Sequence, residues 1–245
     1  MAGHSKWKNI QHRKGKQDAL RGKLFTKLSR EIIMAAKSGG GDPEKNANLR
    51  VVLGRAKVQG LPQENITRAI QRGTGQIAGA DYEEITYEGY GPGGSAVMVE
   101  CYSENRNRTV ADLRHAFSRS NGSLGENGSV AWQFKHIGQI TLPKAGIDED
   151  ELTLAALEAG AQDVSSDDEN FYVETAIEDL HACNDGLAKS GFKTDEVSLT
   201  RVATNMATPT REDMEKLVKL LDALEELDDV KETFVNVDIP DDLFE

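Results

Sequence analysis

The residues of this chain best suited to chemistry are cations, and they gather at its start. Lys6, Lys8, Arg13 and Lys14 interleave with His4, Trp7 and His12, and Lys16, Lys23, Lys27 and Arg30 carry the series on. Lys and Arg spread over a long surface are what a phosphodiester backbone needs, because the counterions they displace supply much of the affinity. Trp7 can stack on an unpaired base or a ribose, and His4 and His12 can donate to phosphate. A plainer reading of each stays open: Trp7 packed down on a neighbouring helix, and each His as an ordinary surface side chain.

Two further groups could hold an anion. The stretch from Glu88 to Ser95 contains Gly91, Gly93 and Gly94 between two strand-like segments. Glycines permit positive φ and close backbone approach, so such a loop can wrap a phosphate, though a hairpin turn accounts for it equally. No Gly-Lys-Ser/Thr follows it, and a strand rather than a helix comes next, so it is neither a Walker A loop nor a dinucleotide fingerprint. Arg106 and Arg108 precede a helical pattern, where the macrodipole is already positive. Two arginines there point to an anion, either an external one held with free backbone N–H groups or an internal carboxylate.

Enzyme chemistry gains little support. No H-E-x-x-H, G-x-S-x-G or metal-ligand cluster occurs, so neither catalytic residues nor a metal or cofactor are expected. Cys101 and Cys183 stand far apart without further Cys or His at ligand spacing, and read as buried small hydrophobes in a reducing compartment. Carboxylate runs such as Asp148 to Glu151 fall at helix starts, where they complement the dipole.

The charge distribution decides how these groups are weighed. The net charge is −12, yet residues 1–80 carry 16 Lys and Arg against 5 Asp and Glu, and residues 81–245 carry 13 against 36. A basic segment on an acidic chain points to a polyanion partner. The acidic part should repel nucleic acid and face protein, solvent or the chain's own basic segment. No apolar run reaches membrane-spanning length and MAGHSKWKNIQHRKGK has no signal-type apolar core, so a cytoplasmic protein without membrane contact is expected.

The elements that must position these residues can be read from periodicity. Residues 1–15 lack an apolar period and read as a mobile or partner-ordered arm. From Lys16 to Lys37, Leu20, Leu24, Phe25, Leu28, Ile32 and Ala35 recur at helical spacing, with the cations mostly off that stripe. A second helix is expected from Asp42-Pro43-Glu44 to near Gly60, and a third from Pro62 to Gly73, with 73–81 as linker. Then follow strands at 83–89 and 95–102, a helix at 109–119 opened by Thr109 and Asp112, and strands at 129–134 and 136–142. A helix at 149–159, strands near 162–166 and 170–174, a helix at 176–189 opened by Thr175 and Glu178, and a strand at 195–202 come next. A helix at 210–227 and a strand at 231–237 close the series. The inner β-α-β-β-α-β order is that of a ferredoxin-like unit. The expected fold is therefore α+β: a basic arm and three-helix domain (1–80), a discontinuous α/β domain (81–135 plus 204–245), and a ferredoxin-like βαββαβ domain (136–203) inserted into it.

Several separate stretches together carry a family resemblance. MAGHSKW, KNIQHRKGKQDALRGKLFTKL, SGGGDPEKNANLR, ITYEGYGPGGSAVMVE, NRNRTVADLRHAFS and NGSLGENGSVAW, spread over residues 1–134, resemble the YebC/PmpR family, with weaker similarity to the carboxyl end. The resemblance implies a helical domain followed by two α/β domains. It also implies either a DNA-binding transcriptional regulator or a ribosome-associated translation factor, the latter as in a mitochondrial activator of cytochrome c oxidase subunit I. The family's amino-terminal motif maps onto His4, Ser5, Lys6, Trp7, His12 and Arg13.

The expected function is a non-enzymatic, nucleic-acid-binding regulator of gene expression, foremost a translation factor that contacts rRNA or tRNA on the ribosome and assists elongation. Spread cations with few Asn or Gln aimed at base edges suit backbone and shape recognition. A DNA-binding transcriptional regulator is the alternative, and a phosphate-handling enzyme built on the glycine loop a second one. Protein partners are expected, if anywhere, at the acidic carboxyl-terminal half.

Overall fold

The computed structural model describes residues 19–243. Helix α1 (Ala19–Gly39) places Leu28, Ile32, Ile33, Ala35 and Ala36 against α2 (Ala47–Val58) and α3 (Gln63–Gly73), whose Leu49, Val52, Leu53, Ala56, Ile66 and Ala69 complete a small core. The second helix begins at Ala47 and not at Asp42-Pro43-Glu44, because Asn46 is the better cap. Its Oδ1 accepts from Leu49 N at 3.0 Å while its Nδ2 donates to the carbonyls of Ala35 and Gly40, both at 2.8 Å. One side chain thus ends α1 and starts α2, and a Cβ on Gly39 would lie 2.7 Å from it. Residues 42–45 form a turn instead, with Lys45 N donating to Asp42 O.

The first sheet-bearing region follows. Strand β1 (Glu83–Tyr90) pairs antiparallel with β2 (Ala96–Ser103), helix α4 covers Arg106–Arg119, and the short β3 (Ser123–Leu124) lies on the outer edge of β1. The expected strand at 129–134 does not form. The Glu88 carboxylate takes the backbone N–H groups of Gly128, Val130 and Ala131 at 2.6–2.7 Å, so their donors go to a side chain instead of a ladder. A 3-10 turn (Ala131–Gln133) then leads into β4 (Phe134–Pro143).

Helix α4 also starts three residues earlier than expected. Asn105 is its cap, accepting from Arg108 N, and Thr109 is buried in another role described below.

Residues Phe134–Thr204 form a compact unit of their own. After β4 come α5 (Glu149–Glu158), β5 (Asp163–Ser166), β6 (Asn170–Thr175), α6 (Leu180–Lys189) and β7 (Glu196–Ala203), in the sheet order β5-β6-β4-β7 with every pair antiparallel. That is the ferredoxin-like arrangement. Its core joins Ile140, Leu142, Phe171 and Val173 of the sheet to Leu152, Ala156, Leu180, Cys183 and Leu187 of the helices. Asp148 caps α5, accepting from Asp150 N and Glu151 N at 3.0 Å. The Thr175–Glu178 capping box is absent: Thr175 ends β6 fully buried, Asp179 N donates to Ala176 O in a turn, and α6 begins at Leu180.

The chain then returns to the first sheet. Helix α7 (Arg211–Glu225) and strand β8 (Val230–Val235) complete the order β3-β1-β2-β8. Leu113, Ala116 and Phe117 of α4 and Leu217, Leu220, Leu221 and Leu224 of α7 pack on Val97, Val99 and Cys101 of the central strand. Gly89 is required here, since a Cβ would lie 2.6 Å from the Phe117 ring. Burial pushes the Cys101 thiol up to about 12, which makes it inert at neutral pH.

Two helical glycines give opposite expectations. Gly54 in α2 has open space where a Cβ would sit, so Gly54→Ala should stabilise the protein by up to about 1 kcal/mol. A Cβ on Gly73 would lie 2.4 Å from the Ile33 carbonyl oxygen, so Gly73→Ala should destabilise by roughly 1–3 kcal/mol despite alanine's helix propensity. Urea denaturation midpoints of the two variants should therefore move in opposite directions.

Candidate nucleic-acid interface

The basic face of α1 does not face solvent throughout. Lys23, Lys27 and Arg30 recur at three- and four-residue spacing and so share one side of the helix. That side lies on the carboxyl end of α7 and the turn into β8. Lys23 Nζ donates to the Glu226 carbonyl at 3.2 Å and to its Oε2 at 3.3 Å; Lys27 Nζ donates to the Glu225 carbonyl at 2.7 Å and to its Oε2 at 3.3 Å. Arg30 donates to the Asp228 carbonyl and, at 2.8 Å, to Asp229 Oδ1. Cations here meet both acidic side chains and the negative end of the α7 dipole.

Asp229 joins three elements. Besides Arg30, its carboxylate accepts from Thr109 Oγ1 at 2.7 Å and from Arg108 Nη2 at 3.2 Å, and its carbonyl accepts from Tyr102 N at 2.8 Å. Thr109 Oγ1 in turn lies 2.7 Å from Ser103 Oγ. The Arg30 guanidinium also sits over the Tyr82 ring, 5.3 Å from its centroid. Asp229 is therefore an anion of the chain itself that meets Arg108 at the start of α4. Arg106 pairs with Glu83, and Arg108 reaches Glu104 as well as Asp229, which raises both guanidinium pKa values through these hydrogen bonds.

The glycine loop is likewise spent internally. Gly91 N donates to Ser95 O at 2.8 Å, and Pro92–Gly94 form a 3-10 turn with Gly93 and Gly94 at φ 67° and 74°. A Cβ on Gly93 would lie 2.5 Å from Pro209 Cβ, and one on Gly91 would lie 3.1 Å from Leu217. The close approach that these glycines permit is to the segment that opens α7 and to α7 itself.

Of the cations and neighbours read from the sequence as contacts, His4, Ser5, Lys6, Trp7, Lys8, His12, Arg13, Lys14 and Lys16 lie outside the described residues. Lys23, Lys27 and Arg30 are brought together, by the acidic turn rather than by an open face. Exposed cations that the sequence reading did not single out sit elsewhere on the helical domain: Arg50 and Lys57 on α2 and Arg72 on α3, none with an ion pair among the described residues. The sequence reading also missed Asp229; its one signal is the run Glu225-Glu226-Leu227-Asp228-Asp229 at the end of an amphipathic helix. Two aromatic side chains, Tyr90 (40% exposed) and Trp132 (68% exposed), both donate to the Ser129 carbonyl. Among the described residues no group of three His, Cys, Asp or Glu could hold a metal ion, and no helix is long and apolar enough to cross a membrane.

A helical domain followed by two α/β parts, the second a ferredoxin-like unit set within the chain of the first, defines a three-part α+β protein whose Lys and Arg concentrate in residues 1–80 of the sequence. Two family models match it: the TACO1/YebC N-terminal domain over residues 5–76, and the TACO1/YebC second and third domain over residues 82–237. The chain belongs to the TACO1/YebC family. A probable transcriptional regulatory protein of Dictyoglomus turgidum is 49% identical over 246 residues, covering 100% of this chain and 99% of the relative. One from Aromatoleum aromaticum is 53% identical over 237 residues, covering 96% and 98%. A crystal structure of a conserved hypothetical protein from Aquifex aeolicus aligns with a TM-score of 0.82 at 43% identity, covering 91% of this chain and 93% of that one.

Breaking the Asp229 cluster should cost far more than breaking the outer pair. Asp229→Ala strands a buried Arg30 and should lower stability by about 3–5 kcal/mol. Glu226→Ala removes a pair whose side chains are 42% and 69% exposed and should cost under about 1 kcal/mol. Denaturant unfolding of both variants checks this, and equal losses would remove Asp229 from its joining role.

Proposed function

We propose that the protein is a nucleic-acid-binding regulator of gene expression that acts by binding and not by catalysis, in the cytoplasm. The observation that carries this is the excess of 16 Lys and Arg over 5 Asp and Glu in residues 1–80 of a chain whose net charge is −12. Such a segment grips phosphates largely irrespective of sequence. We read Lys6, Lys8, Arg13, Lys14 and Lys16, with His4, Ser5, Trp7 and His12, as the leading contacts, joined by Arg50, Lys57 and Arg72 on the helical domain.

The finer reading is a ribosome-associated translation factor that contacts rRNA or tRNA and assists elongation. Its support is physical. Helix α1 turns Lys23, Lys27 and Arg30 toward its own chain, so that face is not displayed as a recognition helix for the major groove. The remaining exposed cations are scattered over separate elements, which suits irregular RNA and backbone contact. A second reading, a DNA-binding transcriptional regulator, is favoured by the names of the relatives from Dictyoglomus turgidum and Aromatoleum aromaticum.

Crosslinking in cells followed by sequencing of the attached nucleic acid separates the two: rRNA or tRNA enrichment is expected, and discrete promoter fragments would shift the assignment to DNA. Joint replacement of Lys6, Lys8, Arg13 and Lys14 by Ala should weaken binding to all sequences alike. It should also flatten the dependence of log K on log salt by about 0.7 per lost contact on single strands, or about 0.9 on duplex. Weakening confined to one sequence would contradict backbone recognition.

A further inference from the structure

The turn after α7 offers α1 what a run of phosphates would offer. Four carboxylates in five residues, Glu225, Glu226, Asp228 and Asp229, line up with helix-terminal carbonyls so that Lys23, Lys27 and Arg30 each receive one carbonyl and one carboxylate oxygen. We infer that this turn is a built-in polyanion mimic, which occupies Lys23 and Lys27 and must be displaced from them before the basic face of α1 can grip a nucleic-acid backbone. The inference rests on the nucleic-acid reading above and adds regulation to the same site.

The three contacts are graded. Arg30 and Asp229 have side chains only 11% and 9% exposed and are tied to Arg108 and Thr109, so they hold α1 in place. Lys27 and Glu225 are 16% and 22% exposed, and Lys23 and Glu226 are 42% and 69% exposed. Exchange therefore proceeds from the solvent end: Lys23 leaves first, Lys27 next, and Arg30 stays. Exposed ion pairs are weak and salt-screened, so a phosphate backbone, with many charges in series, can outcompete them. The freed Glu225 and Glu226 then repel phosphate, which makes the contact an autoinhibitory one that flattens the response to salt.

The test uses the full chain with a fluorescein-labelled oligouridylate and a labelled DNA duplex. Glu225→Gln with Glu226→Gln should tighten binding to whichever probe the protein holds by roughly three- to tenfold, the range that two partly exposed ion pairs can withhold. It should also steepen the salt slope on single strands by about 0.7 per recovered contact. Glu212→Gln with Glu215→Gln makes the same charge change at the other end of α7, about 15–20 Å away along the helix. At about 0.15 M salt that distance exceeds a Debye length, so affinity there should stay within about twofold of the unaltered protein. Amide hydrogen exchange over residues 222–231 should speed up when oligonucleotide binds.

Equal affinities in the two double variants, or exchange over 222–231 that is unchanged or slowed by oligonucleotide, would overturn the mimic while leaving nucleic-acid binding standing. Failure of the unaltered protein to bind either probe at low salt would sink the nucleic-acid reading and the mimic together.

Discussion

A single carboxylate holds the helical domain and the first α/β sheet in register. Asp229 sits in the turn between α7 and β8, 7% exposed, and accepts from Arg30 of α1, Arg108 at the start of α4 and Thr109 behind it. A charge so far removed from water is tolerable only when its oxygens are satisfied, and here each finds donors. The consequences spread outward. Arg30 fixes the rotation of α1, which sends Lys27 and Lys23 along the same side to the carbonyls and carboxylates of Glu225 and Glu226. Arg108 and Thr109 fix the entry of α4, whose Leu113 and Phe117 then pack on the central strand.

This arrangement changes what the charge asymmetry means. Read as a string, the basic start and the acidic remainder are two independent segments, one for a polyanion and one for solvent or partners. In the fold, part of each neutralises the other, and the acidic stretch at 225–229 meets the chain's own basic helix. Among the described residues of the helical domain, Arg50, Lys57 and Arg72 are then cations with unspent charge. In the proposed mechanism, binding to phosphate and closure of α1 on α7 are competing uses of Lys23 and Lys27. An energetic difference between them follows from burial: the Arg30 end is shielded from solvent, while the Lys23 end is exposed to salt and to competing anions.

Local chemistry explains which elements were legible. Helices whose apolar stripes were complete, such as α1, α3 and α7, appear where the periodicity placed them, as does the β-α-β-β-α-β order of residues 134–203. Three of the misplacements come from a side chain drawn to partners that the sequence reading did not give it. Asn46 bridges two helices and overrides the Asp42-Pro43 start, and Glu88 collects three N–H groups of 128–131 and so abolishes a strand. Thr109 has the type and spacing of a cap but is drawn into the Asp229 cluster, leaving the cap to Asn105.

By itself the sequence determined the α+β class, the helical start, the ferredoxin-like unit and the concentration of positive charge in residues 1–80, because periodicity, caps and charge counts are local properties. It also marked Arg106 and Arg108 as needing an anion, since like charge at a helix start has to be answered. What only the tertiary structure decided was which carboxylates of the chain meet them, Asp229 and Glu83, and that the basic side of α1 lies on the end of α7. The pairings with Asp229 and with the end of α7 join residues some 120 to 200 positions apart. No local rule carries them, because they exist only once two hydrophobic cores have brought the charges within reach.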